Sequence, residues 1–149
     1  MQVNSYFYIS NMKTKKKIAY RTDCPISTAL DIWGDKWSLL IVRDMAFKGK
    51  YTYGDFLHGG EQIATNILAD RLAILESGGI IVRQRHPDSK AKILYTLTQK
   101  GVDLIPALVE IIFWSEKYHD VHPEAREFAK AVKKDKKRLI GKLMSRFQK

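Results

Sequence analysis

Three features of the 149-residue chain predict a mainly helical α+β fold. Apolar residues recur with helical period through most of residues 25–76, and two short segments between Ile80 and Leu97 read as strands. An almost wholly apolar helical segment then follows. The length suits one core of ordinary domain size, and 45% hydrophobic with 28% charged residues is soluble globular composition. No uncharged apolar run approaches the roughly 18 residues that a membrane span needs, which excludes a transmembrane reading. Tyr6, Phe7 and Tyr8 precede the lysine cluster, the reverse of secretory order, so no signal peptide is expected. A single cysteine, Cys24, has no internal disulfide partner and fits a reducing cytoplasm.

Thr22 or Asp23 is suited to cap the first helix, with Pro25 just inside it, where its missing N–H costs nothing. Ile26, Ala29, Leu30 and Trp33 give that helix one apolar face, and Gly34 stops it. A second helix is expected from Lys36 to about Ala46, apolar on more than one face and therefore central. After a turn at Lys48-Gly49-Lys50, Thr52 caps a short helix from Tyr53 to about His58, ended by Gly59-Gly60. The next helix, 63–76, points Ile63, Ile67, Leu68, Leu72 and Leu75 inward and leaves Thr65, Asn66, Ala69 and Ala73 outside. Two helices about a short glycine-bearing turn, the second with small and amide side chains on its open face, predict a helix-turn-helix.

Segments 80–86 and 91–97 are expected to form a hairpin about Pro87-Asp88-Ser89-Lys90, with Ile93, Tyr95 and Leu97 on one buried face. A hairpin directly after a recognition helix is a wing, which makes the fold a winged helix-turn-helix. From Thr98 one helix should run to about Tyr118. Ten of the thirteen residues from Val102 to Trp114 are apolar. A helix so apolar on nearly every side predicts dimerisation, with Leu104, Leu108, Ile111, Ile112, Trp114 and Tyr118 at the contact. In the basic remainder, Phe128, Val132, Leu139, Leu143 and Phe147 form a helical stripe. Such a helix suits packing on the dimer, or contact with DNA flanks, a membrane or a partner.

The chain carries 26 Lys+Arg against 16 Asp+Glu, a formal +10. Residues 1–23 hold +4 and residues 123–149 hold +7, while 24–122 hold −1. The expected organisation is therefore a basic arm over 1–22, a DNA-binding and dimerisation domain over 23–122, and a basic tail over 123–149. Met12 is a candidate second start. Excess charge in tails strengthens non-specific grip without choosing a sequence.

Several blocks together resemble one family. Cys24-Pro25-Ile26, Ala29-Leu30-Asp31, Trp33-Gly34-Asp35-Lys36-Trp37, Leu39-Leu40-Ile41 and Arg43 resemble the opening signature of HxlR-type winged helix-turn-helix regulators. Ile63, Leu68, Arg71-Leu72, Leu75-Glu76 and Gly79-Ile80 fall at that family's recognition-helix spacing. Tyr95 to Gly101, Pro106 and Trp114 resemble its junction between wing and dimer helix. The resemblance covers about residues 22–118 and implies a cytoplasmic homodimeric transcription factor that binds operator DNA. Ala64 stands where the family commonly has serine, and the basic tail has no counterpart in it.

Each candidate residue has a functional and a structural reading. Asn66 suits bidentate pairing with an adenine edge, Thr65 a phosphate or thymine methyl, and Ala69 close approach; solvated positions are the alternative. Arg71 either reaches a phosphate or holds an acid such as Glu76 or Asp44. Arg83, Arg85, Lys90 and Lys92 track the phosphate backbone or merely keep the hairpin soluble. Lys36 touches phosphate, or holds Asp31 or Asp35. Cys24 lies where a helix start favours the thiolate, with Arg21 close in sequence. Some members of the resembling family sense oxidants or electrophiles through a cysteine there, and a lone thiol permits an intersubunit disulfide or an adduct. The alternative is a cysteine packed as a small hydrophobe.

His119 and His122 have a spacing that suits a metal, but no further ligand cluster accompanies them, so polar helix-end residues are expected. No phosphate loop or catalytic arrangement is present in the sequence, which predicts neither an enzyme nor a cofactor. The partners expected are a palindromic DNA duplex, a second copy and a small-molecule or redox effector, with aromatic space at Phe113, Trp114 and Tyr118. The reading from another class is a non-specific nucleic-acid or protein interaction module of the same fold.

Overall fold

The computed structural model describes residues 17–148. Most of the expected N-terminal arm, with Met12 and Lys13 to Lys16, lies outside the described residues. The first helix, α1, is Pro25–Trp33, and its N-cap is Cys24 rather than Thr22 or Asp23. Helix α2 is Ser38–Lys48; it starts two residues later than expected because Asp35 accepts from the amides of Trp37 (2.8 Å) and Ser38 (3.0 Å). Gly49 ends it in the left-handed conformation, φ 61°, which a Cβ would disfavour. Thr52 and Asp55 form a reciprocal capping box for α3, Tyr53–Leu57. Helix α4 is Thr65–Ser77.

Strands β1, Ile81–His86, and β2, Ser89–Leu97, pair antiparallel, with Ile81 opposite Leu97 and Arg83 opposite Tyr95. Only Pro87 and Asp88 lie between them, so the turn is tighter than the four residues expected, and the register shifts at Arg85/His86. Tyr95 and Leu97 are buried, but Ile93 on the same face is 43% exposed, because the hairpin projects beyond the helices that cover its base. Thr52 bridges to Leu94, which ties the start of α3 to the hairpin.

The single helix expected from Thr98 to Tyr118 is broken. Helix α5 covers Gln99–Val102 and α6 covers Ile105–Tyr118. Pro106 sits in the first turn of α6, where it donates nothing; mid-helix, its ring would clash with the carbonyl of Val102. Gly101 lets α5 lie against the hairpin base, since a Cβ there would collide with the Ile80 carbonyl oxygen.

The basic C-terminal stretch forms two helices, α7 (Pro123–Lys134) and α8 (Lys136–Ser145), divided at Asp135, whose side chain accepts from the Arg138 amide. Both pack on α6, and Leu143 joins the central core while Phe128, Met144 and Phe147 pack against it. That core runs from Ile32 through Val42, Met45, Leu68, Leu72, Leu75 and Ile105 to Leu108. Two inward assignments differ from expectation. On α1 it is Ile32 that is buried, while Ile26 is 71% and Leu30 44% exposed; on α4, Ile67 lies at the surface.

Candidate nucleic-acid interface

Helix α4 advances 100° per residue, which places Thr65, Asn66, Ala69 and Ala73 on one stripe of its surface. All four are exposed, while Leu68, Leu72 and Leu75 on the adjoining inward face are buried. The stripe begins at the amino end of the helix, where unpaired backbone N–H groups favour anions. Ala64 is the N-cap and provides no side-chain bond there. The stripe is held in place from behind. Tyr53 donates its hydroxyl to the Thr65 carbonyl at 2.9 Å, so α3 grips the first turn of α4.

Arg71 lies off the stripe and points back to the body of the protein. Its guanidinium sits 3.2 Å from Asp35 and also pairs with Asp70, so its partners are neither Glu76 nor Asp44. Burial of Asp35 pushes its pKa up, but bonds from the Ser38 hydroxyl (2.5 Å), the two amides and Arg71 outweigh it and hold the carboxyl below its ordinary value. One carboxylate thus joins the α1–α2 turn to the middle of α4. Asp44 has a comparable role behind the α3–α4 turn. It is 5% exposed and faces Arg43 (2.7 Å), Lys48 (3.7 Å) and Lys50 (3.6 Å). Arg43 reaches on to Glu61 at 2.7 Å, and Lys50 to the Gly59 carbonyl at 3.4 Å. Gln62, between these contacts and α4, adopts a left-handed φ of 56°.

The four wing cations divide. Arg83 is bonded to Glu76 of α4 at 3.3 Å and braces the hairpin against the helix. Arg85, Lys90 and Lys92 are exposed and form no ion pair among the described residues. Lys36 is exposed in the α1–α2 turn, 4.5 Å over the ring of Trp37; it holds neither Asp31, which pairs with Arg21, nor Asp35. Between α3 and β2 runs an open groove of about 620 Å³, with Lys50, Tyr53, His58, Lys92 and Ile93 among its walls.

Cys24 is exposed, not packed as a small hydrophobe. The backbone amides of Ser27 and Ile26 at the start of α1 lower its pKa below the ordinary thiol value. Arg21, expected to assist, is bonded to Asp31 at 2.6 Å instead. Of the residues expected at a dimer contact, Ile111 (45%), Trp114 (59%) and Tyr118 (60%) are exposed, and Leu104 and Ile112 are half-buried. Leu108 is buried in the chain's own core, so it is not available to a partner. His122 caps α7 by accepting from the Glu124 amide, and the His119 ring lies 5.4 Å from that of Trp114.

Sequence reasoning gave Tyr53 and Glu61 no role, and it read Asp35 and Asp44 as partners of Lys36 and Arg71; in the fold these four brace the candidate interface. Two local signals were present: an acid three residues before Ser38, and the i, i+4 spacing of Asp44 and Lys48.

Comparison with known proteins identifies the family. Residues 32–123 match the HxlR-like helix-turn-helix family. The HTH-type transcriptional regulator YdeP of Bacillus subtilis is 33% identical over 110 residues, which cover 71% of this chain and 85% of YdeP. The regulator sll1512 of Synechocystis is 36% identical over 86 residues, 58% of this chain and 63% of that protein, so this match spans under two thirds of the relative. Among solved structures, PA1607 superposes with a TM-score of 0.62 at 41% identity, covering 69% of this chain and 70% of PA1607. HypR, a redox regulator in its oxidised form, gives 0.58 at 29% identity, covering 66% of this chain and all of HypR. YdeP and sll1512 bear the name of HTH-type transcriptional regulators, and PA1607 and HypR superpose on the fold described above. The chain belongs to the HxlR-type helix-turn-helix family of transcriptional regulators.

Proposed function

We propose that this chain is a cytoplasmic, homodimeric regulator that reads a palindromic operator through α4 and holds its backbone through the wing. The observation that carries this reading is the exposed stripe Thr65, Asn66, Ala69 and Ala73, on a helix anchored by Tyr53 and Asp35. Asn66 is the residue for base readout, and Arg85, Lys90 and Lys92 meet phosphates, with Lys36 at their margin. Arg71 and Arg83 act through position rather than by contact, because acids of the same chain hold them.

A second copy is supported by exposed Ile111, Trp114 and Tyr118 on α6, and by exposed Ile26 and Leu30 on α1. Two α4 helices related by a twofold axis would engage half-sites about one helical turn apart, or a multiple of that. Selection from a random-sequence duplex pool tests the operator. The expected result is one palindromic motif, with Asn66→Ala losing about 1–3 kcal/mol of discrimination at one position per half-site. Recovery of no motif would leave the non-specific interaction module as the better reading.

Responsiveness to oxidants or electrophiles rests on Cys24, exposed and with a lowered pKa at a helix start. The relative YodB of B. subtilis is 31% identical over 98 residues, and HypR is described as a redox regulator. With one thiol per chain, an oxidant such as diamide would take two electrons and two protons from a pair of Cys24 thiols and leave an intersubunit disulfide. A quinone would add to one thiolate instead. Loss of operator binding after treatment, absent in Cys24→Ser, is the expected result; unchanged binding with no crosslink or adduct would confine Cys24 to its capping role.

A further inference from the structure

We infer that α7 and α8 form a second duplex-binding surface, one that grips phosphates flanking the site engaged by α4 and the wing. This rests on the DNA-binding reading above but not on operator recognition. The family match ends at residue 123, where α7 begins, so this helix pair is an addition to the part that the family shares.

Its two sides differ in chemistry. The inner side is committed to the fold. Ala129, Val132 and Leu143 are buried, and Phe128 meets Phe47 edge to face at 5.6 Å. Lys133 bonds Glu116 of α6 at 2.7 Å, Lys136 bonds Glu110, and both ammonium groups lie over the Phe113 ring at 5.4 and 5.7 Å. The outer side is cationic and unpaired. Lys134, Lys137, Lys142 and Arg146 are exposed and form no ion pair among the described residues. Lys130 and Arg138 are paired only with exposed acids of their own helix region, Glu127 and Asp135, contacts of little strength in water.

Three kinds of partner suit a cationic face, and the structure separates them. A membrane-surface helix inserts its apolar side, but here that side is packed on α6 and the core, and only charge is left for lipid. A second copy of the same face would set like charges against each other across a twofold axis. Duplex DNA carries one negative charge per roughly 1.7 Å of axis and needs no apolar insertion. The chain also has a need for such a surface: residues 24–122, which include α4 and the wing, carry a net −1. Attraction at long range must therefore come from outside that stretch, and residues 123–149, at +7 against +4 for residues 1–23, carry the larger share.

The test uses the full chain with Lys134, Lys137, Lys142 and Arg146 replaced by Gln, against the unmodified protein. Affinity for a random-sequence duplex and for the selected operator with long flanks is measured across a salt series. The salt slope should become shallower by about 0.9 for each phosphate that is no longer neutralised, so by roughly 2–4 in total, on both duplexes. The reversal Lys142→Glu with Arg146→Glu should weaken binding further, and circular dichroism confirms that each variant is folded. Equal slopes for variant and unmodified protein would overturn the inference. So would loss of binding to anionic vesicles with an unchanged duplex slope, which would assign the face to lipid. If the unmodified protein binds every duplex alike and the variant slope is still shallower, operator reading fails while this surface stands.

Discussion

Arg43, Lys48 and Lys50 gather on one buried carboxylate, Asp44, behind the turn that leads into α4, whereas Arg85 and Lys90 on the hairpin make no ion pair among the described residues. Lys92 acts on Asp55 only as a charge at a distance. The cations of the two regions thus do opposite work. In the helical half, charge is paired within the fold and ties α2 to the segment Gly59 to Glu61 ahead of α4. In the wing, it is left for something outside. Direct base readout demands a fixed helix, while a phosphate tolerates a flexible lysine. Net charge alone does not separate the two uses; pairing does.

Substitutions should divide along the same line when unfolding is followed in urea. The largest loss is expected for Asp44→Ala, about 3 kcal/mol, because three cations lose their shared acid in a mostly buried place. A loss under about 1 kcal/mol would mean that Asp44 does not hold the turn.

Asp35→Asn should cost about 1–2 kcal/mol at neutral pH and also change the pH profile. The folded carboxyl titrates below its ordinary value, so its contribution is complete above the unfolded pKa of about 3.9 and is lost as pH falls through that value toward the folded one. Stability of the unmodified protein should therefore decline between about pH 5 and pH 3 more steeply than that of Asp35→Asn. Parallel curves would remove Asp35 as the link to α4.

Tyr53→Phe deletes the bond to the Thr65 carbonyl and should cost about 1 kcal/mol while blurring operator discrimination more than random-duplex affinity. The smallest effect on stability belongs to the wing. Gln at positions 85, 90 and 92 should stay within about 0.5 kcal/mol of the unmodified protein, yet flatten the salt dependence of DNA binding by roughly 2–3. A large stability loss there would show that the wing cations serve the fold after all.

Much of this molecule is legible in the sequence. The winged helix-turn-helix, the hairpin and the exposed stripe on α4 follow from periodicity and turn chemistry. What periodicity does not say is what covers an apolar face. Ile26 and Leu30 share a face that reads as core, yet within one chain they remain exposed, and Ile32 is the residue of α1 that is buried. The apolar excess of α6 reads as a demand for a second chain as well as its own, and α7 and α8 of the same chain meet part of it. The break before Ile105 is carried by Pro106, which a count of apolar residues passes over. In sequence Asp35 reads as an acid for Lys36 and Asp44 as one for Arg71, because the Asp35–Arg71 pair joins segments far apart along the chain while the cations that do gather on Asp44 lie within six residues of it.

Leu143 lies more than a hundred positions after Ile32, yet both belong to one core. During synthesis, residues 25–97 can form their local helices and hairpin early, since those contacts are short in sequence. The surface that α8 covers stays open until α8 itself has been made, and apolar surface left open in that interval invites association with other chains. The time at which the complete core appears is therefore set by the basic helices and not by α4, even though the latter is finished first.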